Sequence, residues 1–273
     1  MIIRCQSDDR DDILSYMGTD YGKCLYLYLD LMQFGFDSPE VSVWKEEAAD
    51  GRIVAIALVY HTTAHLFSRE GEVDSGAWAE LLRRMGVRLA CAEAPVIRAL
   101  AANLPGRAEY GMVGHLTEIP AEVDRSGVRR AEEGDFEEIA RLLHDNAFYD
   151  TKADIPTIAD QMRTRWARGF TRNYVIEVDG EIASHICTKA EGERLVVAGG
   201  GCTSPRHRMK GLGIRVFQVL AHDLAAEGKD IYSFYYGESA TAYNWRLGLA
   251  PCCEWGRIFC EGGGAWSSLS RRF

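Results

Sequence analysis

The sequence predicts an α/β protein of two tandem domains, each with a mixed, mostly antiparallel central sheet flanked by helices. The chain has 273 residues, of which 47% are hydrophobic, enough for two ordinary cores. A strand-like run precedes each of the segments 50–68 and 179–199. Each segment begins with a D-G turn and continues with two more strand-like runs. This order is typical of an antiparallel meander. After each meander the order helix, strand, helix is the same, which indicates a duplicated architecture.

The elements after the first meander follow from periodicity and from helix-stop signals. The run GAWAELLRRMG predicts a helix that Gly86 closes. The next run, VRLACAE, reads as a strand, and PVIRALAANLPG reads as a second helix. These elements complete a first domain that we place at residues 1–125.

The second half repeats this order. The run GIRVFQVLAHDLAAEG predicts a helix closed by Gly228, and its apolar face consists of Phe217, Leu220, Ala221 and Leu224. A strand (IYSFYY), a helix (ESATAYNWRLG) and a last strand (CCEWGRIFC) follow. We therefore expect a second domain at residues 126–262, and a flexible tail at 263–273 that begins with glycines.

Charge and cysteine content limit the classes of function. The net charge is −9, with −8 in residues 1–125 and −1 in the remainder. Nucleic-acid binding, which needs a basic face, is therefore not expected. We expect no membrane segment and a cytoplasmic location. The eight cysteines are scattered without a CxxC pair, so we expect free thiols and no metal site.

The segment PRHRMKGLG, which begins at Pro205, combines glycines and cations directly before the predicted helix of the second half. The basic residues of the segment are Arg206, His207, Arg208 and Lys210, and Arg215 follows two residues after its end. A helix N-terminus presents unpaired backbone N–H groups and a partial positive charge, and glycines let an anion approach closely. The segment therefore predicts a site for a phosphate-rich ligand.

The spacing R-x-x-G-x-G from Arg208 to Gly213 fits neither the P-loop nor the dinucleotide fingerprint. Placed between a meander and an amphipathic helix, it resembles the acyl-CoA loop of the GNAT superfamily of N-acetyltransferases. The run AYNWRLGLAPCCEW is similar to that family's last helix, turn and strand. The resemblance covers 127–260. The front half shares only the element order, and its loop position, SREGEVDSG, is acidic, so we interpret it as a degenerate copy.

The resemblance implies acetyl-CoA as cosubstrate and an amine as acceptor. The loop amides would hold the pyrophosphate, and the pantetheine arm would follow the strand LVVAGGGCT, whose glycines fit either a bulge or a narrow tunnel. The implied cosubstrate-binding residues are Gly201, Cys202, Thr203, Arg208, Met209, Lys210, Gly211, Leu212, Gly213 and Ile214.

The catalytic positions depart from the family pattern. Counting back from Gly248, the family's tyrosine position holds Asn244, with Tyr243 next to it. We take these two as the candidates for assisting the leaving thiolate, with Tyr235 and Tyr236 as alternatives. The family's glutamate base has no counterpart, because its strand position holds glycine and alanine. Glu191 and Glu193 lie earlier, near the hairpin tip, where we interpret them as solvated residues. The remaining candidates for the base are His185 and Glu238.

Two functions therefore stay open from the sequence. One is an N-acyltransferase, with acetyl transfer to a primary amine by direct attack. The other is an acyl-CoA-binding sensor or scaffold without catalysis. The sequence does not identify the acceptor or the oligomeric state.

Overall fold

The structure is a computed structural model that describes residues 1–146 and 154–261. The expected flexible tail at 263–273 lies outside the described residues. The chain forms two compact units. Within the described residues, the first unit contains Met1–Gly114, Phe234–Thr241 and 251–261, and the second contains 115–146, 154–233 and Ala242–Ala250.

The predicted α/β architecture is confirmed, and the elements follow one another in the expected order. The strands are β1 (Ile2–Arg4), β2 (Val41–Glu47), β3 (Ile53–Tyr60), β4 (Thr63–Phe67), β5 (Leu89–Glu93), β6 (Gly106–Leu116), β7 (Val128–Arg130), β8 (Asn173–Val178), β9 (Glu181–Glu191), β10 (Leu195–Thr203), β11 (Asp230–Tyr236) and β12 (Leu249–Cys260). The helices are α1 (Arg10–Met17), α2 (Leu25–Phe34), α3 (Ser75–Arg84), α4 (Ala94–Ala101), α5 (Phe136–His144), α6 (Ile155–Ala167), α7 (Leu212–Ala226) and α8 (Glu238–Arg246). None of the helices in the described part of the chain has the length and apolar character needed to cross a membrane.

In the first unit the predicted meander is formed by β2, β3 and β4, which pair antiparallel. Strand β5 then pairs parallel with β4 and antiparallel with β12. The pairing with β12 runs from Trp255 opposite Glu93 to Phe259 opposite Leu89. Residues 251–261 therefore belong to the first unit. For this reason the compact units do not coincide with the predicted ranges 1–125 and 126–262.

In the second unit the strand order is β11-β10-β9-β8-β7. Strands β7 to β10 pair antiparallel, and β10 pairs parallel with β11. The predicted apolar face of α7 is confirmed, because Phe217, Leu220, Ala221 and Leu224 are all buried in one core cluster. A second cluster lies under α5 and α6 and includes Phe136 and Ile139. The sheet of this unit is thus covered by helices on both faces.

Candidate functional site

The predicted loop connects β10 to α7 within the second unit. After Thr203 the chain makes a short 3₁₀ turn at Pro205–His207, and Gly211 precedes α7 with a φ of +78°. This left-handed conformation favours glycine. The N–H groups of the first helical turn, including those of Leu212 and Gly213, have no carbonyl partner inside the helix. The turn therefore presents donors and a partial positive charge to an anion.

Three arginines of the loop region have polar partners within the protein. Arg206 pairs with Glu181 at 3.0 Å, and Arg215 pairs with Asp124 at 3.1 Å. Arg208 instead donates from Nε to the carbonyl oxygen of Thr203 at 3.3 Å, so it braces the loop against its own strand. The side chain of Met209 is 93% exposed. Two of the loop cations are thus paired with carboxylates, and the backbone N–H groups are a further source of donors for an anion.

Strand β10 has a bulge at its glycines. The pairing with β9 passes from Gly199 opposite Cys187 to Cys202 opposite His185, so two glycines of β10 lie opposite the single residue Ile186 of β9. The first of these, Gly200, has a φ of +69°. Strand β10 pairs with β11 only over Leu195–Val197. Beyond that point its backbone is available on this edge to a ligand, and Gly201 is exposed.

The glycines of β10 also make room for Lys189 of β9, a residue that the sequence analysis did not identify. A Cβ atom on Gly199 would lie 3.1 Å from Lys189 Cγ, and one on Gly200 would lie 3.4 Å from its Nζ. The lysine side chain thus lies flat across the bulge. No motif marks Lys189, because its position depends on residues of the neighbouring strand.

Two predicted binding residues turn their side chains away from the loop. Cys202 is 7% exposed and packs in the cluster under α5 and α6, and Leu212 is 8% exposed and packs in the cluster under α7. Strand alternation and the helix face direct them inward. Cys202 and Leu212 therefore offer only backbone groups to a ligand at the loop. Burial raises the pKa of the Cys202 thiol.

His185 is fully enclosed. Its Nδ1 lies 3.0 Å from the carbonyl oxygen of Gly200, and its Nε2 lies 3.0 Å from the Asn173 side chain. Burial lowers the pKa of His185 from 6.5 to about 3, so the imidazole is neutral. A neutral imidazole has one N–H. We therefore orient the Asn173 amide with its nitrogen donating to Nε2, while Nδ1–H donates to Gly200. Both nitrogens are used, so His185 holds the bulge in place and is not a base.

Tyr243 reaches the loop, whereas Asn244 points into the protein. The hydroxyl of Tyr243 donates to the carbonyl oxygen of Gly213 at 2.9 Å, and a Cβ atom on Gly213 would collide with it at 2.9 Å. Burial raises the pKa of Tyr243. Asn244 is 8% exposed. Of the two catalytic candidates, Tyr243 is thus the one beside the helix turn and the β10 edge.

The remaining candidates differ in their surroundings. Glu191, which the sequence placed near a hairpin tip, is not a solvated residue: it pairs with Arg172 and, at 3.2 Å, with Lys229. Glu193 is exposed. Tyr235, Tyr236 and Glu238 all belong to the first unit. In residues 1–146 and 154–261, no group of three or more His, Cys, Asp or Glu side chains is arranged to hold a metal ion.

The bulge can be tested with two glycine substitutions. Gly180, in the D-G turn, has a φ of +81° and open space around its Cβ position, whereas a Cβ on Gly200 would lie 2.9 Å from Cys187 Sγ. Both alanine variants incur the left-handed cost of about 1–2 kcal/mol. Only Gly200→Ala adds a steric cost, so we expect its Tm to fall roughly 2–4 °C below that of Gly180→Ala. Equal Tm values in thermal scans would contradict the close packing at the bulge.

Comparison with known proteins identifies the class of fold. No protein-family model matches the sequence, and no curated protein matches it. Solved structures do match: a GCN5-related N-acetyltransferase from Sphaerobacter thermophilus has a TM-score of 0.63 at 14% identity and covers 98% of both chains. A GNAT-family acetyltransferase from Colwellia psychrerythraea has a TM-score of 0.58 at 14% identity and covers 96% of this chain and 100% of its own.

The tandem arrangement has a counterpart as well. A tandem GNAT protein from the clavulanic acid biosynthesis pathway has a TM-score of 0.53 at 16% identity, over 94% of this chain and 97% of its own. The chain therefore has the GNAT acetyltransferase fold over most of its length, as its loop and element order predicted. At these identities the similarity concerns the fold alone.

Proposed function

We propose that this protein is an acyl-CoA-dependent N-acyltransferase that transfers an acetyl group from acetyl-CoA to a primary amine by direct attack. The observation that carries this proposal is that the open edge of β10 in the second unit continues into the loop before α7. The glycine bulge opens the edge of β10, and the edge leads to the left-handed Gly211 and the N-terminus of α7. An extended arm that ends in phosphates fits this sequence of features.

Each part of the edge has a distinct role in this proposal. The first-turn amides of α7, at Leu212 and Gly213, bind the pyrophosphate. The backbone of Gly201, Cys202 and Thr203 hydrogen-bonds to the pantetheine arm. Met209, Lys210 and Ile214 flank the phosphates, and Arg208 holds the loop in its shape. The GNAT fold supports acyl transfer in general, and the acceptor amine is not specified by these residues.

The test is a thiol-release assay with acetyl-CoA and a panel of phenethylamine, tyramine, spermidine and glucosamine. We expect acetyl-CoA to bind, as measured by calorimetry, and at least one amine to accelerate thiol release above the rate of hydrolysis. Binding without acceleration by any amine would favour the alternative, an acyl-CoA sensor or scaffold. The absence of binding would contradict both functions.

We expect Tyr243→Phe to reduce kcat by less than ~10²-fold, which is below the range of ~10²–10⁴-fold for loss of a general acid. The Tyr243 hydroxyl already donates its proton to the Gly213 carbonyl, and a thiol with an ordinary pKa near 8.5 leaves at modest cost. Asn244→Ala, a change at the neighbouring buried position, is the matched comparison and should cost no more. A loss above ~10²-fold for Tyr243→Phe, with unchanged acetyl-CoA affinity and fold, would make Tyr243 the general acid.

A further inference from the structure

We propose that Lys189 is the general base of the transfer reaction, taking the proton from the acceptor's ammonium group beside the glycine bulge. This inference rests on the proposed function. It also supplies the residue that the sequence left unassigned, because no carboxylate occupies the usual position on β10.

The first argument is position. The side chain of Lys189 crosses the bulge, with Cγ against Gly199 and Nζ near Gly200. These are the residues directly before Gly201, where the proposed acyl-pantetheine arm meets the strand. The terminal nitrogen is therefore held beside the edge at which the thioester would react. Lys189 is half-buried, so it retains partial exposure.

The second argument is the set of groups around the amine. Arg165 of α6 donates to the carbonyl oxygen of Lys189 and brings a positive charge. On the strands, Cys187 and Cys202 are the titratable neighbours. The Cys187 thiol donates to the carbonyl oxygen of Gly199 at 3.3 Å. Of these neighbours, Arg165 is the one whose charge opposes protonation of the Lys189 amine.

These surroundings favour the neutral amine. Burial is the largest cause and lowers the pKa of Lys189. The Cys187 and Cys202 thiols act to raise this pKa and the Arg165 charge acts to lower it, and the net direction is down. A lysine in such surroundings can act as a base near neutral pH. His185 cannot replace it, because both of its ring nitrogens are hydrogen-bonded. Glu191 cannot replace it either, because it is paired with Arg172 and Lys229.

The proton balance is simple. The acceptor arrives as R–NH₃⁺ and gives one proton to the neutral amine of Lys189. The lone pair of R–NH₂ attacks the thioester carbonyl carbon, the C–N bond forms and the C–S bond breaks. The departing thiolate takes up one proton, and the nitrogen of the new amide loses one. One proton is released overall, and no oxidant or reductant takes part.

The kinetic test compares wild type with Lys189→Met and Lys189→Arg, using phenethylamine and methoxyamine as acceptors. Phenethylamine is protonated at pH 7 and methoxyamine is neutral. We expect both variants to lose at least ~10²-fold in kcat with phenethylamine, with little change in acetyl-CoA affinity. The loss should be smaller with methoxyamine. Arginine should not rescue activity, because its guanidinium does not deprotonate. Activity within twofold of wild type in Lys189→Met would overturn the proposal.

Two further measurements decide the proposal even if neither amine is a substrate. The first is an NMR titration of the Lys189 side-chain nitrogen in the full chain, assigned by its loss in Lys189→Met. An amine that deprotonates below the ordinary lysine pKa supports the proposal, and one that stays protonated through pH 10 overturns it. The second is the intact mass after incubation with acetyl-CoA. Stable acetylation of Lys189 would identify it as a nucleophile instead and overturn its role as a base.

Failure of this proposal can be separated from failure of the proposed function. If wild type neither binds acetyl-CoA in calorimetry nor releases thiol with any amine, the acyltransferase function fails, and the role of Lys189 fails with it. If wild type binds and turns over while Lys189→Met does so equally well, only the base assignment fails.

Discussion

Replacing Gly211 with aspartate is expected to reduce acetyl-CoA affinity at least ~10²-fold. Gly211 precedes α7 in the left-handed conformation with open space around its Cβ position, so a side chain meets no protein atom. The aspartate carboxylate would instead face the proposed pyrophosphate. At about 4 Å, two unit charges near a protein surface repel by about 4 kcal/mol, and every ~1.4 kcal/mol is a factor of ten.

Gly211→Asn is the matched control for this prediction. Asparagine has nearly the same size as aspartate, and both residues enter the left-handed region more readily than other residues. The difference between the two variants therefore isolates the charge. Calorimetry should show a modest loss for Gly211→Asn and a large one for Gly211→Asp. Equal affinities for the two variants would contradict the proposal that the pyrophosphate binds at the N-terminus of α7.

The second large effect concerns acid stability. His185 has a pKa of about 3 in the folded protein and 6.5 as its ordinary value. Between these values the unfolded chain binds a proton that the folded chain does not, so stability falls as the pH falls from 6.5 towards 3. At pH 4.5 this contribution amounts to about 2–3 kcal/mol relative to neutral pH. Above pH 6.5 the contribution is constant.

The measurement is the Tm of wild type and of His185→Gln from pH 7.5 to 4.5. Glutamine does not titrate and can hydrogen-bond to the same partners, so its Tm should fall less steeply than that of wild type. His144→Gln removes an exposed histidine and is the control for a general effect of histidine removal. Parallel curves for wild type and His185→Gln would show that protonation of His185 does not limit acid stability.

The sequence predicts the local features of the fold well, for physical reasons. The D-G turns, the alternating apolar residues and the period of α7 are short-range signals, and they identify both meanders and the buried face of α7. The anion-binding loop is predictable for the same reason, because a glycine before a helix start is visible within a few residues. The GNAT resemblance follows from these local elements placed in order.

Other features depend on partners that are distant in the sequence. Pairing of β12 with β5 cannot be read from either strand, since an apolar strand is compatible with many neighbours. The importance of Lys189 appears only when the glycines of β10 lie beneath it. The choice between Tyr243 and Asn244 depends on one residue of helix register, or about 100° of rotation, and the family pattern selected Asn244.

The return of β12 to the first unit has a consequence for how the chain folds during synthesis. Cys253 lies 231 positions after Gly22, to whose carbonyl its thiol donates. The first half of the chain therefore emerges from the ribosome long before β12, the strand that pairs with β5, has been synthesised. Until then, one edge of β5 is unpaired and prone to pairing with other chains. We expect chains that stop before β12 to be prone to aggregation. We also expect the pairing of β12 with β5 to be the last step in the folding of the first unit.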